Sequence, residues 1–276
     1  MTSLVTDTLT LYRHALQQTG RSLQRGWITM VAIVLFGGLF LLAVQIARPL
    51  GLAGGFMLGA VNALFVGATL RLIEQSLPHA RTLTIHDIVE SFGQYFWDVI
   101  GVGFVLWLPL MALDMGVQAN PYGQFFSYAV FLLIFLLLNP APEVIYQVRH
   151  DSPLDVFKSC YDFVLDNWIE WFIPWMLILV PLVVSPIGLQ TILDLSRRMG
   201  RGAGLDFLQF LMLPLTILDG WVTYLGVSSS ASWGLTLFLT PLLAVAILLF
   251  RGHLFASLHG SSRRQRHFTS RYGMKD

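Results

Sequence analysis

Residues 27–47 read WITMVAIVLFGGLFLLAVQIA and contain no Asp, Glu, Lys or Arg. About 20 residues at 1.5 Å rise cross a hydrocarbon layer roughly 30 Å thick, so this run is expected to span a membrane. Four more windows are equally free of charge: 49–70, 115–142, 171–193 and 220–250. The chain as a whole is 55% apolar and only 12% charged, with a mean hydropathy of +0.66. A soluble chain carries roughly 25% charged residues, so too few are present to cover a water-facing surface of this size. Alternating ten-residue strands are absent from the sequence, which argues against an outer-membrane barrel.

The expected fold is therefore all-α, a polytopic transmembrane bundle forming one integral membrane domain over residues 1–276. Six spans are expected: Trp27–Ile46, Leu50–Leu70, Trp97–Ala112, Phe125–Val144, Trp171–Leu189 and Trp233–Phe250. Phe207–Leu218 is a twelve-residue apolar run containing Pro214 and bounded by Asp206 and Asp219. That length suits an interfacial or re-entrant helix better than a seventh span. With six spans, thirteen Lys and Arg fall on the side of the N-terminus and four on the other. This positive-inside bias puts both termini in the cytoplasm of a bacterial inner membrane. Trp27, Trp97, Trp168, Trp171 and Trp233 sit at span ends, where aromatic anchors are expected. Residues 1–26 lack the short apolar core and cleavage site of a signal peptide.

Amphipathic segments precede the spans. Residues 84–96 place Ile85, Ile88, Val89, Phe92, Tyr95 and Phe96 at helical spacing, with Thr84 as N-cap and Asp87 in the first turn. Residues 152–166 repeat the plan, with Ser152 as cap, Pro153 at the first helical position and Asp155 in the first turn. Their apolar face is Phe157, Cys160, Tyr161 and Val164; the N-terminal segment does the same through Val5, Leu9, Tyr12, Leu16 and Leu23. A shift of 68 residues aligns Thr84 with Ser152, Asp87 with Asp155, Ser91 with Ser159, Asp98 with Asp166 and Trp107 with Trp175. Three repeats follow, each an interfacial helix plus a two-span hairpin: about 1–75, 76–148 and 149–260. The third carries an insertion at about 191–230, and 261–276 is a basic cytoplasmic tail. Repeated units are common in transport folds, yet repetition shows duplication rather than transport.

Gly51, Gly55, Gly59, Ala63 and Gly67 fall four apart on the second span, a small-residue stripe that lets another helix approach closely. Packing within the bundle and pairing with a membrane protein partner are both open to it. Asn62, beside the stripe, is expected to bond across the same interface. Arg71, Glu143 and Arg251 lie near the cytoplasmic end of the second helix of each unit. Two readings stand: an Arg–Glu–Arg cluster, or two snorkelling arginines and a solvated glutamate. Asn139-Pro140-Ala141-Pro142-Glu143 breaks a helix at membrane depth, which is tolerated where backbone is buried in protein or lines a wet cavity. Asn139 and Glu143 are thus the candidate polar site.

No Gly-rich phosphate loop, HExxH or Gly-x-Ser-x-Gly appears in the sequence. The seven histidines include no pair with the facing positions of haem ligation, and no metal-ligand cluster is evident. The expectation is that the chain is not an enzyme and carries no cofactor. A net charge of +1 gives no reason for nucleic-acid binding. Expected partners are membrane lipids, a membrane protein through the stripe, and a cytoplasmic protein through Arg263, Arg264, Arg266, Arg271 and Lys275 of the tail. The interfacial-helix-plus-hairpin plan loosely resembles uncharacterised prokaryotic polytopic membrane proteins and the membrane domain of some glycerophosphodiester phosphodiesterases. That resemblance rests on architecture and carries over no active residues, because the soluble catalytic domain is missing. Two functions follow: a non-catalytic scaffold or accessory subunit, or a small transporter or lipid-handling permease with a cavity near Asn139 and Glu143.

Overall fold

The computed structural model describes residues 2–77, 82–118, 122–184, 205–226 and 229–259, and every regular element among them is helical. In chain order these are α1 (Thr2–Arg25), α2 (Trp27–Ala47), a 3-10 turn (Arg48–Leu50), α3 (Leu52–Ser76), α4 (Ile85–Glu90) and α5 (Phe96–Gln118). There follow α6 (Gly123–Leu138), α7 (Ala141–Gln147), α8 (Pro153–Val184), α9 (Phe207–Tyr224) and α10 (Ser229–Leu258). Five segments are long and apolar enough to cross a membrane: Trp27–Leu50, Leu52–Ser76, Phe96–Leu113, Phe125–Gln147 and Gly234–Leu258. This is the build of a multi-pass membrane protein. Large side chains such as Leu42, Phe56, Phe104, Phe125 and Phe238 point outward, a surface suited to lipid and costly in water.

The expected fifth span begins inside α8, and its part from residue 185 lies outside the described residues, as do residues 191–204 and 227–228 of the insertion and the whole basic tail. The interfacial segment and that span run together in α8 through a kink at Asn167 (φ −132°, ψ 16°). There the Asn167 side-chain amide donates to the Phe163 carbonyl at 3.2 Å, keeping a bond on the acceptor beside the bend. Phe207–Leu218 lengthens into α9, whose apolar stretch Phe207–Val222 is still shorter than the five spans. Its longest partner is α10, the most extensive helix pair among the described residues.

Both expected caps form. Thr84 N and Oγ1 donate to Asp87 Oδ2 at 2.6 and 2.8 Å, and Ser152 N and Oγ donate to Asp155 Oδ2 at 3.0 and 2.8 Å. The Ser152 bonds hold the exposed Asp155 carboxyl below its usual range. The helix expected over 84–96 is shorter, however: α4 ends at Glu90 and the chain turns through Gly93 at φ +90°. An L side chain rarely adopts that angle. The turn buries Ile88 and Tyr95 while Ile85 and Val89 face out. The face expected in α1 is only partly inward. Leu9 and Leu16 are exposed, whereas Tyr12 and Leu23 pack against the core and Ala15, Thr19 and Ser22 are buried, because small residues let α1 lie close along α10. Trp107 and Trp175, aligned by the 68-residue shift, differ in surroundings: the first is exposed and the second buried.

The core is organised by two aromatic groups. Phe36 and Phe65 stack at 5.1 Å between α2 and α3, and Phe207 closes on Phe65 at 5.6 Å. Phe163, Trp171 and Phe255 join α8 to α10, with Phe163 and Phe255 stacked at 4.4 Å. The α2–α3 hairpin closes at Gly54, where an added Cβ would run into the Ala47 carbonyl. Gly54→Ala is therefore expected to cost about 1–3 kcal/mol by overpacking backbone against backbone. Gly55→Ala, where a Cβ meets nothing within 4 Å, should be neutral or slightly stabilising. Unfolding of the two variants in detergent, compared side by side, checks the contrast.

Candidate functional site

The broken helix and the last helix meet in a buried ion pair. Arg251 on α10 donates through Nε to Glu143 Oε1 at 2.8 Å and through Nη2 to Glu143 Oε2 at 2.7 Å. Nη2 also donates to the Asn139 carbonyl at 2.6 Å. That carbonyl sits in the break between α6 and α7, where Pro140 and Pro142 supply no N–H to a helical ladder. Asn139 is fixed from the other side, its Oδ1 accepting from Trp171 Nε1 at 2.8 Å. The guanidinium carbon lies 5.3 Å from the Trp171 ring and 5.6 Å from the Trp175 ring, within cation–π range. Glu143 is 1% exposed and Arg251 7%. A charge pair this dry is sustained by bidentate geometry, by the Asn139 carbonyl and by the two indole rings beside the guanidinium.

Asn139, Glu143 and Arg251 are thus brought together, and Arg251 does not snorkel. Arg71 does not complete an Arg–Glu–Arg cluster. Its Nη1 donates to Glu74 Oε2 at 2.7 Å, one helical turn along α3. The same oxygen accepts from the Tyr95 hydroxyl at 2.7 Å, and burial beside Glu74 pushes the Tyr95 hydroxyl pKa well up. Arg71 has a local partner at i+3 and needs none from a distant helix.

The glycine stripe divides. Ala63 is buried, and at Gly67 the Tyr95–Phe96 backbone comes within 3.2 Å of an added Cβ. Gly55 and Gly59 face open space, and Gly51 forms the hairpin tip at φ +55°. Asn62 bonds across helices: its Nδ2 donates to the Leu205 carbonyl at 2.9 Å and its Oδ1 accepts from Phe207 N at 2.8 Å. It thereby satisfies the backbone entering α9 at a depth about 15 Å along α3.

Trp171 was missed as a polar partner. Its place at the start of a charge-free run suggests an interface anchor, but it is 1% exposed. Trp27, Trp97 and Trp168 are exposed as anchors should be, and the Trp233 side chain lies outside those described. The spacing of Trp171 and Trp175, four apart on one helical face, was the available signal. No group of three or more potential metal-ligating His, Cys, Asp or Glu occurs among the described residues. Two crevices border Arg251, of about 20 and 30 Å³, each of the order of one water molecule.

Comparison with protein-family models, curated proteins and solved structures finds no match. The geometry alone therefore carries the functional reading. Chemically, the site can lock helices: every charge on Glu143 is spent on Arg251, and the crevices beside the pair are too small for a substrate.

Proposed function

We propose that this protein is a non-catalytic scaffold or accessory subunit of a larger membrane complex. The observation that carries the reading is the closed polar centre. Glu143, Arg251 and Asn139 satisfy one another in a dry contact, whereas a permease built around them needs a cavity that opens. A small transporter or lipid-handling permease is the second reading, favoured by the broken fourth span, where moving α7 would expose the pair.

In the scaffold reading the chain has six spans and three duplicated units. Both termini lie in the cytoplasm of a bacterial inner membrane, and the tail meets a cytoplasmic partner. The two identical capping boxes, at Thr84 and Ser152, support duplication of the interfacial helix. The outward Gly55 and Gly59 suit close approach by a partner helix.

The test is purification of the tagged chain from native membranes in mild detergent. A stable membrane protein partner is expected, and Gly55→Leu with Gly59→Leu should lose it while the isolated chain unfolds as before. A monodisperse monomer from those membranes, with solute flux in reconstituted vesicles, would overturn the reading in favour of transport.

A further inference from the structure

Phe207, the first residue of α9, packs on Phe36 and Phe40 at 6.3 and 6.0 Å, the tenth and fourteenth of the 21 residues of α2. Asn62, the eleventh of the 25 residues of α3, holds the Leu205 carbonyl at 2.9 Å and the Phe207 N–H at 2.8 Å. Two membrane-length helices thus place the start of α9 near their middles, and Asp206 lies between the two bonds that pin it there. Its carboxyl receives little in exchange for water. Asn62 takes the Phe207 N–H, and the Gln209 N–H goes to the Asp206 backbone carbonyl at 3.0 Å. One N–H of that first turn reaches the side chain, from Leu208 to Oδ1 at 3.1 Å.

We propose that Asp206 is an intramembrane proton site, its carboxyl protonated in the folded protein at neutral pH and able to exchange that proton. The helices packed against α9 are α2, α3, α8 and α10. No titratable side chain occurs in α2, in α3 before Arg71, in α8 between Glu170 and Val184, or in α10 before Arg251. Arg71 is held by Glu74 and Arg251 by Glu143. On α9 itself the nearest is Asp219, thirteen residues on and about 20 Å along the helix. Among the described residues no Lys, Arg or His is paired with Asp206. A carboxylate without a counter-charge at that depth is costly, and one proton removes the charge. A metal ion fits the surroundings less well. Both ends of the Asn62 amide are spent on backbone, and no group of three or more His, Cys, Asp or Glu converges among the described residues. The inference goes beyond the scaffold reading, and its test needs neither a protein partner nor a transported solute.

The experiment treats the full-length protein in phosphatidylcholine vesicles with dicyclohexylcarbodiimide, which partitions into lipid and reacts with protonated carboxyls. The proton passes to a carbodiimide nitrogen as the carboxyl oxygen bonds the central carbon, and the adduct rearranges to a stable N-acylurea read by peptide mass spectrometry. Asp206 is expected to be modified, and about fivefold less at about pH 9 than at about pH 6, because the reactive protonated fraction falls as pH rises. A water-soluble carbodiimide should modify the exposed Asp155 and spare Asp206. Asp206→Asn keeps a capping side chain but cannot titrate. Its resistance to unfolding by sodium dodecyl sulfate should match that of the wild type at about pH 6 and exceed it at about pH 9. Should the variant not fold, labelling of the wild type decides alone. Three results each overturn the proposal: no modification of Asp206 at any pH, modification by the water-soluble reagent as fast as at Asp155, or a difference between variant and wild type that does not change with pH.

Discussion

Arg251→Met is expected to destabilise the protein by about 3–5 kcal/mol, the usual cost of leaving one member of a buried pair uncompensated. The stranded group is Glu143, 1% exposed and bound through both carboxylate oxygens to Arg251. The Asn139 carbonyl loses its donor from Arg251 as well. Glu143→Gln strands the opposite charge and is expected to act in the same direction, though more mildly, because the amide keeps one acceptor. The double variant should recover much of the loss, since a buried pair replaced by apolar or neutral groups of similar volume is often nearly neutral. Unfolding of the purified protein by sodium dodecyl sulfate measures all three. A loss under 1 kcal/mol in Arg251→Met would mean that the pair is not the dry contact described.

The second large effect is expected at Asn62. Asn62→Leu keeps the volume but removes a donor from the Leu205 carbonyl and an acceptor from the Phe207 N–H. Each unmet backbone group costs about 1–3 kcal/mol, so the sum for two is about 2–6 kcal/mol. The damage should be local to the start of α9, where Phe207 packs on Phe36, Phe40 and Phe65. Hydrogen exchange should then rise across residues 205–213 before it rises in α3. Uniform loosening of the whole bundle would show instead that Asn62 supports the hairpin rather than the entry to α9.

Much of this was legible along the chain. The charge-free windows mark the apolar segments because transfer into lipid is a sum over neighbouring residues. The caps at Thr84 and Ser152 were legible for a similar reason, as each bond closes within three residues. Asn139-Pro140 announced its break through proline chemistry. Pattern misled where a tertiary contact overrode it. Leu9 and Leu16 read as part of the buried face of α1, but the residues α1 buries are the small Ala15, Thr19 and Ser22, where it lies along α10. Trp171 read as an anchor from its position at a span end, although Trp175, four residues on, shares its helical face.

By itself, then, the sequence determined a helical chain with segments that cross a membrane, the caps that start two of its helices, and the broken helix at Asn139. Only the tertiary structure decided who pairs with whom. Glu143 meets Arg251 from 108 residues away, and Asn62 meets Leu205 from 143. Arg71 had an equal formal claim on Glu143 and is taken by Glu74, three residues along. Hydropathy and capping are set within a few residues, whereas the partner of a buried charge depends on which helix packing brings alongside it.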